Sequence, residues 1–178
     1  MNTLIQLEIG VLLIDTATQQ PVVMLKDLNE ERALPIVIGL SEAGAIASEM
    51  ERLQFPRPMT HDLLKNLLDT FQATLEKIVV CDLRENTFYA QLHITKDGEE
   101  ILVDARPSDA IALALRAGAA IYACESVIDK AAVSTSKLQV EEPPEPEELH
   151  VPEASDDAEL IKEFLEGLRE GDFGKYKM

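Results

Sequence analysis

The densest run of chemically capable side chains is Asp104-Ala-Arg106-Pro-Ser108-Asp109, where an apolar β-branched run hands over to an Ala-rich segment. Strand-to-helix junctions of this kind build many binding and catalytic sites in α/β folds. The same residues also have a purely architectural use. A hydroxyl and a carboxylate in a first helical turn satisfy open amides and complement the macrodipole, and Arg106 beside Asp104 can form an ordinary ion pair. Glu42, in Ser41-Glu42-Ala43, carries the same two readings. His61 follows a double-proline loop and could serve as a general acid or base, against a bland role in starting a helix. Its neighbour Asp62 points about 100° away around a helix, so the two do not form a direct dyad. His93 on a strand and His150 in an acidic stretch read as structural or incidental.

Two of these groups belong to an internal echo. LPIVIGLSEAGAIA (from Leu34) and ILVDARPSDAIALA (from Ile101) align without gaps at an offset of 67 residues, placing Ser41-Glu42-Ala43 on Ser108-Asp109-Ala110. The pattern suggests two related strand–helix units within one domain. If the units face one another, Glu42 and Asp109 approach and offer paired carboxylates to Mg²⁺ or Mn²⁺, which prefer oxygen ligands. Such an ion would activate water and neutralise a phosphodiester oxygen.

The elements that must position these groups follow from periodicity. Leu4 to Ile14 reads as a strand, turning through DTATQQP into Val22 to Leu25. LPIVIG is a short strand, and SEAGAIASEMERL repeats Ala43, Ile46, Met50 and Leu53 at helical spacing. Pro56 and Pro58 break that helix. Thr60 is expected to cap the next one, with Leu63, Leu64, Leu67, Leu68 and Phe71 as its buried stripe. Strands are expected over Thr74 to Asp82, Phe88 to Thr95 and, after the Asp97-Gly98 turn, Ile101 to Asp104. Pro107 suits the first position of an Ala-rich helix and Gly118 its end, and the strand Ala120 to Cys124 is expected to close the domain. The fold class is therefore α+β, a mixed or antiparallel sheet with packed helices over residues 1–134. Residues 135–157 read as an acidic, Pro-rich linker. Residues 158–178 read as an amphipathic C-terminal helix, whose Leu160, Ile161, Phe164, Leu165 and Leu168 could join copies into a homo-oligomer.

Bulk properties bound the chemistry. The net charge is −17 over 178 residues, with 13 acids against 4 bases in residues 141–178 and 20 against 12 before them. That field repels polyanions and disfavours an ordinary nucleic-acid binder. With 4% aromatic residues and no Trp, there are few platforms for stacked bases. The start MNTLIQLEIGVLLID lacks a basic n-region, no apolar run reaches about 18 residues, and Cys81 and Cys124 stand far apart, so a cytoplasmic protein without membrane partners is expected. Gly-x-Ser-x-Gly, the phosphate-binding loop, Gly-x-Gly-x-x-Gly, Cys-x-x-Cys and His-Glu-x-x-His are all missing from the sequence.

Taken in order, LPIVIGLSEAGAIASEME, FPRPMTHDLL, NTFYAQL and VDARPSDAIALALRAGAAIY resemble the successive blocks of the bifunctional nuclease domain family, over roughly residues 5–132. FLEGLREGDF is similar to the helix that ends many bacterial members. The resemblance implies an α+β domain with DNase and RNase activity, assigned in some plant members, and its recurrent polar positions fall here on Glu42, His61, Asp62, Arg106, Ser108 and Asp109. The roles we attach to them are Glu42 and Asp109 as metal or water ligands, His61 as general acid or base, and Arg106, with Ser108, as a phosphate contact. Two functions compete. One is a metal-assisted nuclease hydrolysing RNA or DNA phosphodiesters; the other is a non-enzymatic acidic module that binds or regulates protein partners.

Overall fold

The computed structural model describes residues 3–28 and 32–134, which hold the sheet, its helices and all the candidate site residues. The linker and C-terminal helix expected beyond residue 134 lie outside the described residues, and so does self-association through that helix.

Alternating apolar runs separated by short turn-forming segments give two three-stranded meanders, each feeding a helix. The first is β1 (Leu4–Ile14), β2 (Pro21–Asp27) and β3 (Arg32–Val37), followed by α1 (Leu40–Met50). After α2 (Thr60–Thr70), the second meander is β4 (Thr74–Arg84), β5 (Thr87–Lys96) and β6 (Glu99–Ala105), followed by α3 (Pro107–Ala117). Then come β7 (Ala120–Cys124), α4 (Glu125–Ala131) and the two-residue β8 (Val133–Ser134). All the strands join one sheet in the order β6-β5-β4-β7-β1-β2-β3-β8. The two meanders are thus mirrored about β7, and the Leu34/Ile101 echo marks the last strand and helix of each. The fold is α+β, as the sequence indicates.

The turns follow local chemistry. Asp97 and Gly98 take positive φ angles of 52° and 80°, and Glu85 and Asn86 take 47° and 60°, giving the paired left-handed residues that match strand twist in two-residue hairpins. Asp15 holds the β1–β2 turn by accepting the amides of Ala17 and Thr18.

Helix α3 is the centre of the domain. Its residues Ala110 to Ala114 are buried on every side, as expected of a helix with no polar stripe, and the helix packs against α1, α2, β4, β5 and β7. Alanines at 110, 112 and 114 let the surrounding elements approach closely. Pro107 occupies the first turn, and Gly118 ends the helix in the left-handed conformation at φ 67°.

Three expectations are corrected. Strand β7 does not close the domain: α4 and β8 follow it, and it enters the middle of the sheet, parallel to β4 and antiparallel to β1. Helix α3 hands the chain back to the sheet, where the first strands of the two meanders, β1 and β4, each offer an edge. Thr60 is not the cap of α2; Met59 is, and its amide donates to Asp62 Oδ2 at 2.8 Å. Most consequentially, the leucine stripe of α2 faces outward. Leu63, Leu64, Leu67 and Phe71 are 54, 41, 42 and 62% exposed, while His61 is buried and Asp62, Lys65 and Leu68 are partly so. Polar contacts to α3, described below, set the rotation of this short helix and override its amphipathic pattern.

Because Gly118 alone lets the chain turn left-handed out of the central helix, Gly118→Ala is expected to cost about 1 kcal/mol, read as a lower midpoint in urea unfolding with an unchanged slope.

Candidate active site

Arg106 caps α3 with extended backbone, so its side chain lies back across the first turn of the helix. Its Nε donates to Asp109 Oδ2 at 2.7 Å and its Nη2 to Asp109 Oδ1 at 3.2 Å. The same Nη2 lies 2.8 Å from Glu42 Oε1, in the first turn of α1. His61, from the first turn of α2, places Nε2 3.2 Å from Asp109 Oδ1. Three helix starts therefore meet at one point, and Glu42, Arg106, Asp109 and His61 form a continuous polar chain.

Gly39 makes room for this. A Cβ at that position would collide with the Glu42 carboxylate, which folds back over the start of α1.

Side-chain exposure increases outward through the cluster, from His61 at 10% and Glu42 at 17% to Asp109 at 32% and Arg106 at 66%. Arg106 is the group presented to solvent, and His61 lies behind Asp109. Beside them opens a cleft of about 450 Å³ bounded by Ile36 to Gly39, the β4–β5 turn with Asn86 and Phe88, and Arg106, Pro107 and Ser108. Ser108 is itself buried and forms part of that wall. Since β3 and β5 stand far apart in strand order yet share this cleft, the sheet wraps around the start of α3.

The ionic state follows from the contacts. Burial works to raise the Asp109 pKa, but hydrogen bonds from Arg106 and His61 and their charges outweigh it, so the carboxyl sits below its usual range. The hydrogen bond and charge of Asp109, joined by Glu42, raise Arg106 further above its ordinary value. Asp109 is accordingly an anion, and a carboxylate held this firmly is a weak base.

The expected use of Glu42 and Asp109 as Mg²⁺ or Mn²⁺ ligands does not fit this arrangement. Every carboxylate oxygen already accepts a hydrogen bond: Glu42 from Arg106 and from Ser41 Oγ, Asp109 from Arg106 and His61. The place between the two carboxylates holds a guanidinium. Among the described residues no group of three or more His, Cys, Asp or Glu gathers as a metal site.

The expected Arg106–Asp104 ion pair gives way to these partners; Asp104 lies on β6 opposite Gln91. His61 and Asp62 diverge as expected, with Asp62 turned to Arg116. That arginine was missed by sequence reasoning. Its side chain is 6% exposed and donates to the Asp62 carboxylate, to the carbonyls of Ala45 at 3.0 Å and Ala112 at 2.9 Å, and to Ser48 Oγ at 3.4 Å. It ties α1, α2 and α3 together. The signal was a lone cation closing the otherwise apolar run AIALALRAGAA. His93 pairs with Glu100 on the neighbouring strand, a local cross-strand contact.

With this geometry in view, the comparisons with known proteins are specific. Residues 23–136, more than half of the chain, match the bifunctional nuclease domain. The chain belongs to the bifunctional nuclease domain family. A protein of Mycobacterium tuberculosis strain H37Rv that bears only the name uncharacterized protein is 41% identical over 160 residues, covering 90% of this chain and 92% of that one. Bifunctional nuclease 1 of Oryza sativa subsp. indica is 23% identical over 105 residues, covering 57% of this chain and 32% of the rice protein. Bifunctional nuclease 2 of Oryza sativa subsp. japonica is 26% identical with the same coverage. The family domain thus contains all six polar positions, Glu42, His61, Asp62, Arg106, Ser108 and Asp109. No helix among the described residues is long and apolar enough to cross a membrane.

Two measurements test the junctions. Arg116→Met leaves the Asp62 carboxylate without its cation and removes the side chain that ties α1, α2 and α3 together, so a loss of roughly 2 to 3 kcal/mol is expected in denaturant unfolding. The folded pKa values of Asp62 and Asp109 both lie below the ordinary 3.8. Their contribution is therefore fully present above that value and is lost as the pH falls through the lowered ones. Stability should drop below about pH 4, and Asp109→Asn should make that drop shallower.

Proposed function

We propose that this chain is a phosphodiesterase acting on RNA or DNA, and that Arg106 is its phosphate contact. Membership of the bifunctional nuclease domain family supports the substrate class. The observation that carries the reading to particular residues is the convergence of Glu42, Arg106, Asp109 and His61 beside one cleft, of which Arg106 lines the wall.

The chemistry follows from competition for one cation. A phosphodiester oxygen suits the planar fork of Arg106, which is two-thirds exposed. When the guanidinium turns to phosphate, Asp109 Oδ2 loses the donor that held its pKa down and becomes a better base. His61 Nε2 keeps Oδ1 in place, so the freed oxygen remains oriented. A water held there gives its proton to Asp109 as its oxygen attacks phosphorus. The P–O bond breaks with its electron pair on the leaving oxygen, which takes a proton from solvent. Asp109 then returns its proton to solvent at the exposed Oδ2, with His61 Nε2 still donating to Oδ1. Ser108 and the cleft beside it receive the part of the substrate that flanks the scissile phosphate.

A second reading has its own support. The four side chains satisfy one another in the absence of any ligand, and a net charge of −17 opposes polyanion binding. These facts suit an acidic module that acts through protein partners, with the salt-linked cluster fixing three helix starts.

Purified protein incubated with labelled RNA and single-stranded DNA separates the two, in the presence of Mg²⁺, Mn²⁺ or EDTA. Cleavage that falls at least 100-fold in Arg106→Ala and in Asp109→Asn supports the enzyme. Cleavage retained in both variants marks a contaminant and leaves the binding module. Gly39→Ala, whose new methyl displaces the Glu42 carboxylate, should lower activity while moving the melting temperature little.

A further inference from the structure

Helix α2 is turned inside out relative to its amphipathic pattern. Its inward face carries His61, Asp62 and Lys65, and its outward face carries Leu63, Leu64, Leu67 and Phe71, which fall within about 100° of one another around the helix. Removing a large apolar side chain from water is favourable in proportion to the area covered. A helix does not hold four of them outward without something to set against them, and the polar contacts of His61 and Asp62 with α3 fix which face that is.

We infer that a second copy of this chain covers the face, as an antiparallel pairing of α2 with α2 across a two-fold axis at Leu67. Two features select a copy of the chain itself. The first is charge. The whole chain carries −17, so two copies repel over most of their surfaces, yet residues 50–71 hold three acids and three bases and are neutral. The outward face of α2 itself, from Thr60 through the leucines to Thr70 and Phe71, bears no charge. It is a surface on which an acidic protein can meet its own copy without like-charge cost.

The second feature is register. In an antiparallel pair centred on Leu67, Leu63 lies opposite Phe71 of the partner subunit and Leu64 opposite its Thr70, so the largest outward side chain meets a smaller one at both ends. A two-fold interface requires that self-complementarity. The pairing leaves His61 on the inner side, facing Asp109, and buttresses the helix that delivers it.

Sedimentation velocity of the full-length chain tests the inference. A dimer is expected at micromolar concentration, and Leu67→Glu, which sets two carboxylates against each other on the axis, should weaken it at least 100-fold. Leu67 is exposed, so unchanged circular dichroism is expected for that variant. Leu67→Cys should form an intermolecular disulfide under mild oxidation, whereas Leu102→Cys on the exposed edge strand β6 should not. A monomeric chain, a dimer indifferent to Leu67→Glu, or cross-linking at position 102 and not at 67 would each overturn the proposal.

Discussion

The guanidinium of Arg106 is shared between Glu42 and Asp109, and the arrangement of the three helix starts depends on that sharing. Two carboxylates on separate helices would repel one another at this distance; a cation between them turns the repulsion into a joint. Because α1 and α3 descend from the corresponding ends of two related meanders, the joint also locks the two halves of the sheet in their mirrored relation. His61 extends it to α2 through the remaining face of Asp109. A single exposed side chain thus adds a polar link at the ends of three helices that already pack on the common core.

That arrangement has an electrostatic consequence. A phosphate arriving at the cluster brings negative charge to a site whose own charges nearly cancel, on a chain whose field is strongly negative. Long-range steering works against the encounter, so binding must rest on short-range contacts: the two-pronged geometry of the guanidinium and the walls of the adjoining cleft. On the proposed reading, the same competition that weakens binding would provide the chemical change, since an arginine engaged by phosphate no longer depresses Asp109. On that reading the empty cluster is silent, its one guanidinium held between two carboxylates.

Much of the fold was legible because local patterns and tertiary outcome agree. The hairpins carry turn residues that tolerate positive φ, Pro107 and Gly118 bracket α3, and the echo between Leu34 and Ile101 reflects a true topological correspondence. Four of the site residues were legible for the same reason, since each stands at the start of a helix where polar side chains are conspicuous. What was not legible was decided at a distance. The position of β7 depends on which sheet edges lie free after both meanders have formed, which no local window encodes. Arg116 looked like the polar end of an apolar helix, and only the approach of Ala45, Ser48 and Asp62 from other elements shows why it is buried.

Helix α2 shows most plainly how such distant contacts win. Periodicity alone assigns its leucines to the interior, and that assignment treats burial of apolar area as the only term. The Arg116 side chain is buried where α1, α2 and α3 meet, at the end of the central helix. Breaking a buried, hydrogen-bonded ion pair costs about 3 to 5 kcal/mol, on the scale of burying two leucines, so the Arg116–Asp62 contact is a strong term against the leucine stripe. Asp62 must therefore face inward, His61 follows it onto Asp109, and the helix has no freedom left to turn its leucines with them. The outward stripe is the price of the ionic joint, and it converts a requirement of the core into a feature of the surface.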